Sequence, residues 1–126
     1  SWGYQGFNET WLNGKNDWIY PQLHQGGLDM ERLATEHPQA KGLTKRALNQ
    51  AARELLLAQA SDWAFMMSAG NMEEYGKKRT KSHIGRLDGL KKQIDQDSID
   101  EPWLSIVEKR DNIFPWIDYR FFSANN

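Results

Sequence analysis

A chain of 126 residues with 16 Lys plus Arg against 17 Asp plus Glu, a formal net charge of −1, gives no basis for a nucleic-acid groove or for adhesion to an anionic membrane. The absence of cysteine removes disulfides and thiolate metal sites and fits a cytoplasmic protein. The length suits one domain with a single core, and no apolar run approaches the ~20 residues needed to span a bilayer.

The chain opens on Ser1-Trp2-Gly3-Tyr4-Gln5-Gly6-Phe7, followed by Trp11-Leu12-Asn13-Gly14. Large indoles on a glycine-bearing, irregular backbone have two uses. They anchor an arm to the helices behind it, or they form a platform on which a flat sugar ring stacks. A start at Ser1, inside the richest motif of the sequence, suggests a piece of a longer polypeptide. Asn8-Glu9-Thr10 has the form of a glycosylation sequon, a short match of the kind chance supplies.

Asn16 is placed to cap a helix beginning at Asp17. Trp18, Ile19, Leu23, Leu28, Met30 and Leu33 supply its apolar positions up to His37-Pro38. Pro21 is tolerated near the first turn, and Gly26-Gly27 predicts a bend or break. A second helix, over about 43 to 67, is rich in Ala, Leu, Arg, Gln and Glu. At 100° per residue Ala47, Leu48, Ala51, Leu55, Ala58 and Met66 form one stripe, with Asp62 near its centre. A carboxylate there calls for an ion pair, a hydrogen bond or a polar site.

Asn71-Met72-Glu73-Glu74 reads as a capping box for a third helix. Met72, Leu87, Leu90 and Ile94 mark its buried face, with Arg79 and His83 on the same side, and Gly76, Gly85 and Gly89 are candidates for close packing. A short connection near Gly70 predicts an antiparallel hairpin. Asp62 stands eight residues before Gly70 and Arg79 nine after, so the two are expected to pair. Asp100-Glu101-Pro102-Trp103 begins a short fourth helix that continues with Leu104, Ile106 and Val107. The tail, from Asn112 through Phe114, Trp116, Tyr119, Phe121 and Phe122, is too aromatic for a solvated end and predicts an extended strap. These elements make an all-α fold: a small bundle of about four helices with irregular aromatic arms at both ends.

Chemistry-bearing patterns are sparse. His24, His37 and His83 share no local motif with Ser and Asp, and no two histidines are spaced to share a helix face, so neither a triad nor a metal site is indicated. Lys77-Lys78-Arg79-Thr80-Lys81 is the one basic run, most simply a solvated helix face, with phosphate binding the minor alternative. Asp62, Arg79 and His83 form the more specific constellation, either an ion pair stitching the hairpin or a ligand contact.

Several long motifs agree on a family. Ser1-Trp2-Gly3-Tyr4-x-Gly6, Trp11-Leu12-Asn13-Gly14, Asn16-Asp17-Trp18-Ile19-Tyr20, the run from Arg46 to Phe65, Arg79-Thr80-Lys81-x-His83 and Asp111-Asn112-Ile113-Phe114-Pro115 stand in order along nearly the whole chain. They resemble the C-terminal part of the 1,4-α-glucan branching enzymes of glycoside hydrolase family 57. The resemblance implies a distorted (β/α)7 barrel upstream, carrying a Glu nucleophile and an Asp acid/base. In such an enzyme a retaining double displacement cuts an α-1,4-glucan and transfers it to a 6-hydroxyl, forming an α-1,6 branch. Both catalytic carboxylates belong to the barrel, so none is expected in this chain, which alone would be inactive. Retention needs two carboxyl groups about 5–5.5 Å apart, and no pair in the sequence replaces them.

By the same resemblance Trp2 and Trp11 match a tryptophan pair that contributes to the glucan cleft, and Asp62, in a Ser-Asp-Trp motif, points toward a sugar hydroxyl. Trp116 departs from the pattern, which has an acidic residue after Phe-Pro. The implied partners are an α-1,4-glucan and the upstream barrel, in cytoplasmic glycogen-type metabolism, with no cofactor or metal. Two other readings stay open: a free-standing carbohydrate-binding or helical interaction module, and the same domain in a 4-α-glucanotransferase or α-amylase. The branching-type spacing from Trp2 to Trp11 weighs against the last.

Overall fold

A computed structural model describes residues 19–67 and 73–124, apart from the side chains of 63–67 and 73–76. The aromatic N-terminal arm with Trp2 and Trp11, the Asn16 cap and the Asn71 capping box lie outside the described residues. Four helices follow in order among the described residues: α1 (Ile19–Glu36), α2 (Gly42–Met67), α3 (Glu73–Asp95) and α4 (Glu101–Arg110). A 3-10 turn, Tyr119–Phe122, lies near the C-terminus, and no strand occurs among the described residues. The protein is a small all-α bundle.

α2 is its central element. Ala47, Leu48, Ala51, Ala52, Leu55 and Ala58 are all buried, and the alanines let neighbouring helices approach closely. The brief 68–72 connection and the contact between Glu54 and His83, nearly equidistant from it, fix α2 and α3 as an antiparallel pair. Met30, Leu33 and Ala34 from α1, Leu87, Leu90 and Ile94 from α3, and Leu104 from α4 complete the main core around it. Each large apolar side chain fully buried here contributes roughly 1.5–3 kcal/mol. Ile19, Leu23, Ala58 and Ile84 form a second, smaller cluster.

α1 runs unbroken through Gly26-Gly27, contrary to the bend its glycines suggest. A Cβ on Gly26 would lie 3.0 Å from Leu87 Cδ2 and 3.3 Å from Leu55 Cδ1, so this glycine seats α1 against the α2–α3 pair. Packing outweighs the weak intrinsic helicity of the pair. Leu28, expected inside, is 49% exposed.

α4 begins as its sequence predicts. Asp100 caps it by accepting from the Trp103 amide at 3.1 Å, and Pro102 occupies the first turn. Leu104 and Val107 are buried, whereas Ile106 points outward. Trp103 lies across Gly89 of α3, its Cη2 3.2 Å from where a Cβ would stand.

The tail is not an extended strap. It turns at Phe114, whose φ is 52°, with the Ile117 amide donating to the Phe114 carbonyl at 3.0 Å. It then enters the 3-10 turn, capped by the Asp118 carboxylate. Ile117 and Tyr119 are buried, while Trp116 and Phe121 are exposed. Ile117 and Tyr119 therefore anchor this segment, with Phe114 and Phe122 half-buried against the core. Arg53 holds it further by donating from Nε to the carbonyls of Ile113 (2.9 Å) and Phe114 (3.2 Å).

Candidate functional site

Asp62 stands on α2, half-buried, as its place in the apolar stripe predicts. Its Oδ1 has no hydrogen-bond partner among the described residues, and burial alone pushes its carboxyl up to about 6. The expected pair with Arg79 does not form. Equal distance from the hairpin turn sets height along a helix but not rotation about its axis. The buried face of α3 is Thr80, His83, Ile84 and Leu87, and Arg79, one residue before that face begins, is turned outward and exposed. Asp62 is left as a carboxylate that costs stability where it stands, the condition in which acidic side chains are found at binding sites.

His83 is buried as expected, but its partner is Glu54 rather than Asp62. His83 Nδ1 lies 2.8 Å from Glu54 Oε1, and Gln50 Nε2 donates to Glu54 Oε2 at 2.9 Å. Asp111, which caps the C-terminus of α4, places Oδ2 3.6 Å from His83 Nδ1. Arg86 reaches in from α3 to stand 3.1 Å from Asp111 Oδ2 and 3.9 Å from Glu54 Oε1. Gln50 also donates to the Asp111 carbonyl at 3.1 Å, so this polar network joins α2, α3 and the end of α4. Burial pushes the Glu54 carboxyl up and Asp111 adds to the rise, against the pull of His83 and Gln50.

Glu54, His83 and Asp111 bring three possible ligand atoms within 4.8 Å of one another, the geometry of a partial metal site. Arg86 already supplies the positive charge that such an arrangement would seek, and every carboxylate oxygen facing the imidazole has a donor. The residues fit a self-contained structural network better than an ion. Nor do the two carboxylates suit glycosidic chemistry, because Glu54 is wholly shielded from solvent and no sugar reaches it. Sequence reading missed Glu54, Gln50, Arg86 and Asp111 as a group. The signal for Glu54 was the one that found Asp62: a carboxylate within the stripe, between Ala51 and Ala58.

Residues 22–122 match the family model described as 1,4-alpha-glucan branching enzyme, C-terminal. The chain belongs to this family. It is 33% identical over 118 residues to a 1,4-alpha-glucan branching enzyme of Thermococcus kodakarensis, a match covering 90% of the chain and 18% of that protein. It also resembles the crystal structure of the alpha-amylase AmyC from Thermotoga maritima. That likeness has a TM-score of 0.77 and 41% identity, and covers 86% of the chain and 21% of AmyC. The branching-enzyme C-terminal domain seen here thus spans about a fifth of each of these two relatives. Its relatives carry two different activities, so the domain fold does not select between transfer and hydrolysis. No helix among the described residues is long and apolar enough to cross a membrane.

Proposed function

We propose that this chain is the C-terminal helical domain of a 1,4-α-glucan branching enzyme and shapes the glucan cleft beside an upstream (β/α)7 barrel that carries the catalytic carboxylates. The observation that carries the proposal is the family match over residues 22–122, joined to a relative five times longer that is named a branching enzyme. In this reading Trp2 and Trp11 stack on sugar rings and orient the donor chain, while Asp62 meets a sugar hydroxyl. The half-buried Asp62 carboxyl makes no ion pair among the described residues, which supports that role: its accessible side is left open to a hydroxyl, while the oxygen without a protein donor is itself buried. The barrel does the covalent work, and the helical domain contributes orientation and exclusion of water. The setting is cytoplasmic glycogen-type synthesis, with the α-glucan as substrate and no cofactor.

Kinetics of the intact enzyme test this directly. Trp2→Ala and Trp11→Ala should each lower turnover on an α-1,4-glucan by about tenfold or more, with the thermal midpoint unchanged. Wild-type rates in both variants would remove the indoles from the cleft. The likeness to AmyC favours one second reading, the same domain serving an α-amylase. Product analysis separates the two: debranchable α-1,6 linkages mark transfer, and a rise in reducing ends without them marks hydrolysis.

A further inference from the structure

The basic run Lys77-Lys78-Arg79-Thr80-Lys81 contributes to a family motif but is assigned no contact with glucan, and its sequence alone most simply suggests a solvated helix face. Folding gives it another setting. Lys78 and Arg79 stand at a cavity of about 420 Å³ whose wall also includes Arg86, further along α3, and Arg110, at the end of α4. Four of the seven described side chains that line it are permanently cationic, in a chain whose overall charge is −1. Asp111 is the one carboxylate in the lining among the described residues, and Arg86 neutralises it at 3.1 Å. Ser82 adds a hydroxyl to the wall.

Most arginines of this bundle are matched to carboxylates. Arg32 holds Asp95, Arg46 holds Glu108, and Arg120 holds Asp118. Lys78 and Arg110, by contrast, make no ion pair among the described residues, although both face the same cavity. A single carboxylate ligand would be satisfied by one guanidinium. Cations converging from two helices suit a ligand with several charged oxygens. The volume lies within the range of small-molecule sites and exceeds what a bare ion fills.

We propose that this cavity binds the phosphate group of a small phosphorylated ligand, with Lys78 and Arg110 as its principal charge contacts. The existence of this site does not depend on the reaction assigned to the enzyme. Its ligand is either a sugar phosphate, whose ring would occupy the rest of the cavity, or inorganic phosphate alone.

Titration calorimetry of the protein with inorganic phosphate, glucose 6-phosphate and unphosphorylated glucose tests the proposal. Saturable binding of at least one phosphate probe, in moderate salt, is expected. Because Lys78 and Arg110 are exposed and make no ion pair among the described residues, the double variant K78Q/R110Q should fold normally by circular dichroism while its phosphate affinity falls about tenfold or more. Lys92→Gln, a change at an exposed lysine in the last turn of α3 away from the cavity, should leave affinity unaltered. Glucose 6-phosphate binding about tenfold tighter than phosphate would assign a sugar phosphate, and equal affinities would assign the free anion. Absence of saturable binding by either probe, equal weakening by K92Q, or an unaltered affinity in K78Q/R110Q would overturn the site.

Discussion

Asp62 is held in a state that folding alone does not favour. Burial raises its carboxyl to about 6, above its ordinary value near 4, so the proton is bound more tightly in the folded chain than in the unfolded one. The sign follows from linkage: as pH rises through that interval the folded state pays increasingly for the ionised group, and above about 6 the penalty is complete. Partial solvent contact screens it to on the order of 1 kcal/mol. Asp62→Asn should therefore raise unfolding free energy by about that amount at pH 8 and leave it unchanged at pH 4, as denaturant titrations at the two pH values will show. If the side chain meets substrate, the same variant loses activity while gaining stability. Loss of stability at pH 8 would instead restore a structural ion pair. His83 presents the opposite case, because its contact with Glu54 is fully formed and buried. His83→Ala leaves a buried carboxylate short of a partner and should cost roughly 3 kcal/mol in urea unfolding. The position of Asp62 was legible because a charge interrupts an apolar stripe. Its lack of the Arg79 partner was not, since rotation about a helix axis depends on packing partners that a spacing argument does not contain.

The helices themselves were legible because their periodicity, the Asp100 cap and the Pro102 start are local signals that agree with one another. Glycine was the exception. Its low helix propensity argued equally against every position, whereas the folded chain treats these positions differently. A Cβ on Gly85 would meet nothing within 4 Å, and on Gly26 it would press Leu87 and Leu55. Gly85→Ala should accordingly stabilise α3 by about 0.5–1 kcal/mol, the usual gain from removing a helix-interior glycine at an exposed site. Gly26→Ala enjoys the same propensity gain but must displace two core leucines, so its midpoint should fall below that of Gly85→Ala. Thermal unfolding of the two variants side by side makes the comparison. An equal gain at both would show that the α1 contact yields without cost. Leu28 and Ile106 follow the same logic in reverse: apolar identity alone did not reveal that α1 and α4 each pack on a narrow face.

At the scale of the whole molecule, the tail closes the fold by joining parts of the chain that are remote in sequence. Tyr119 is fully buried, and its hydroxyl donates to the His37 carbonyl and accepts from the Ala40 amide at 3.0 Å. Its own amide donates to Asn49 Oδ1 at 2.9 Å. One residue therefore satisfies the backbone where α1 ends and α2 has not yet begun, a stretch with few hydrogen bonds of its own. The aromatic composition of the tail signalled burial but did not separate Tyr119 from Phe121, because only Tyr119 has a polar end that reaches this loop. Tyr119→Phe keeps the ring and removes the hydroxyl, leaving a carbonyl and an amide without their partner. It should cost about 1–3 kcal/mol and speed hydrogen exchange at the Ala40 amide ahead of exchange in α2. Phe121→Ala, at a side chain 68% exposed, should change stability by no more than about 0.5 kcal/mol despite removing far more surface. The reverse order of effects would mean that apolar contact rather than the hydroxyl holds the tail, and that the loop between α1 and α2 is ordered without it.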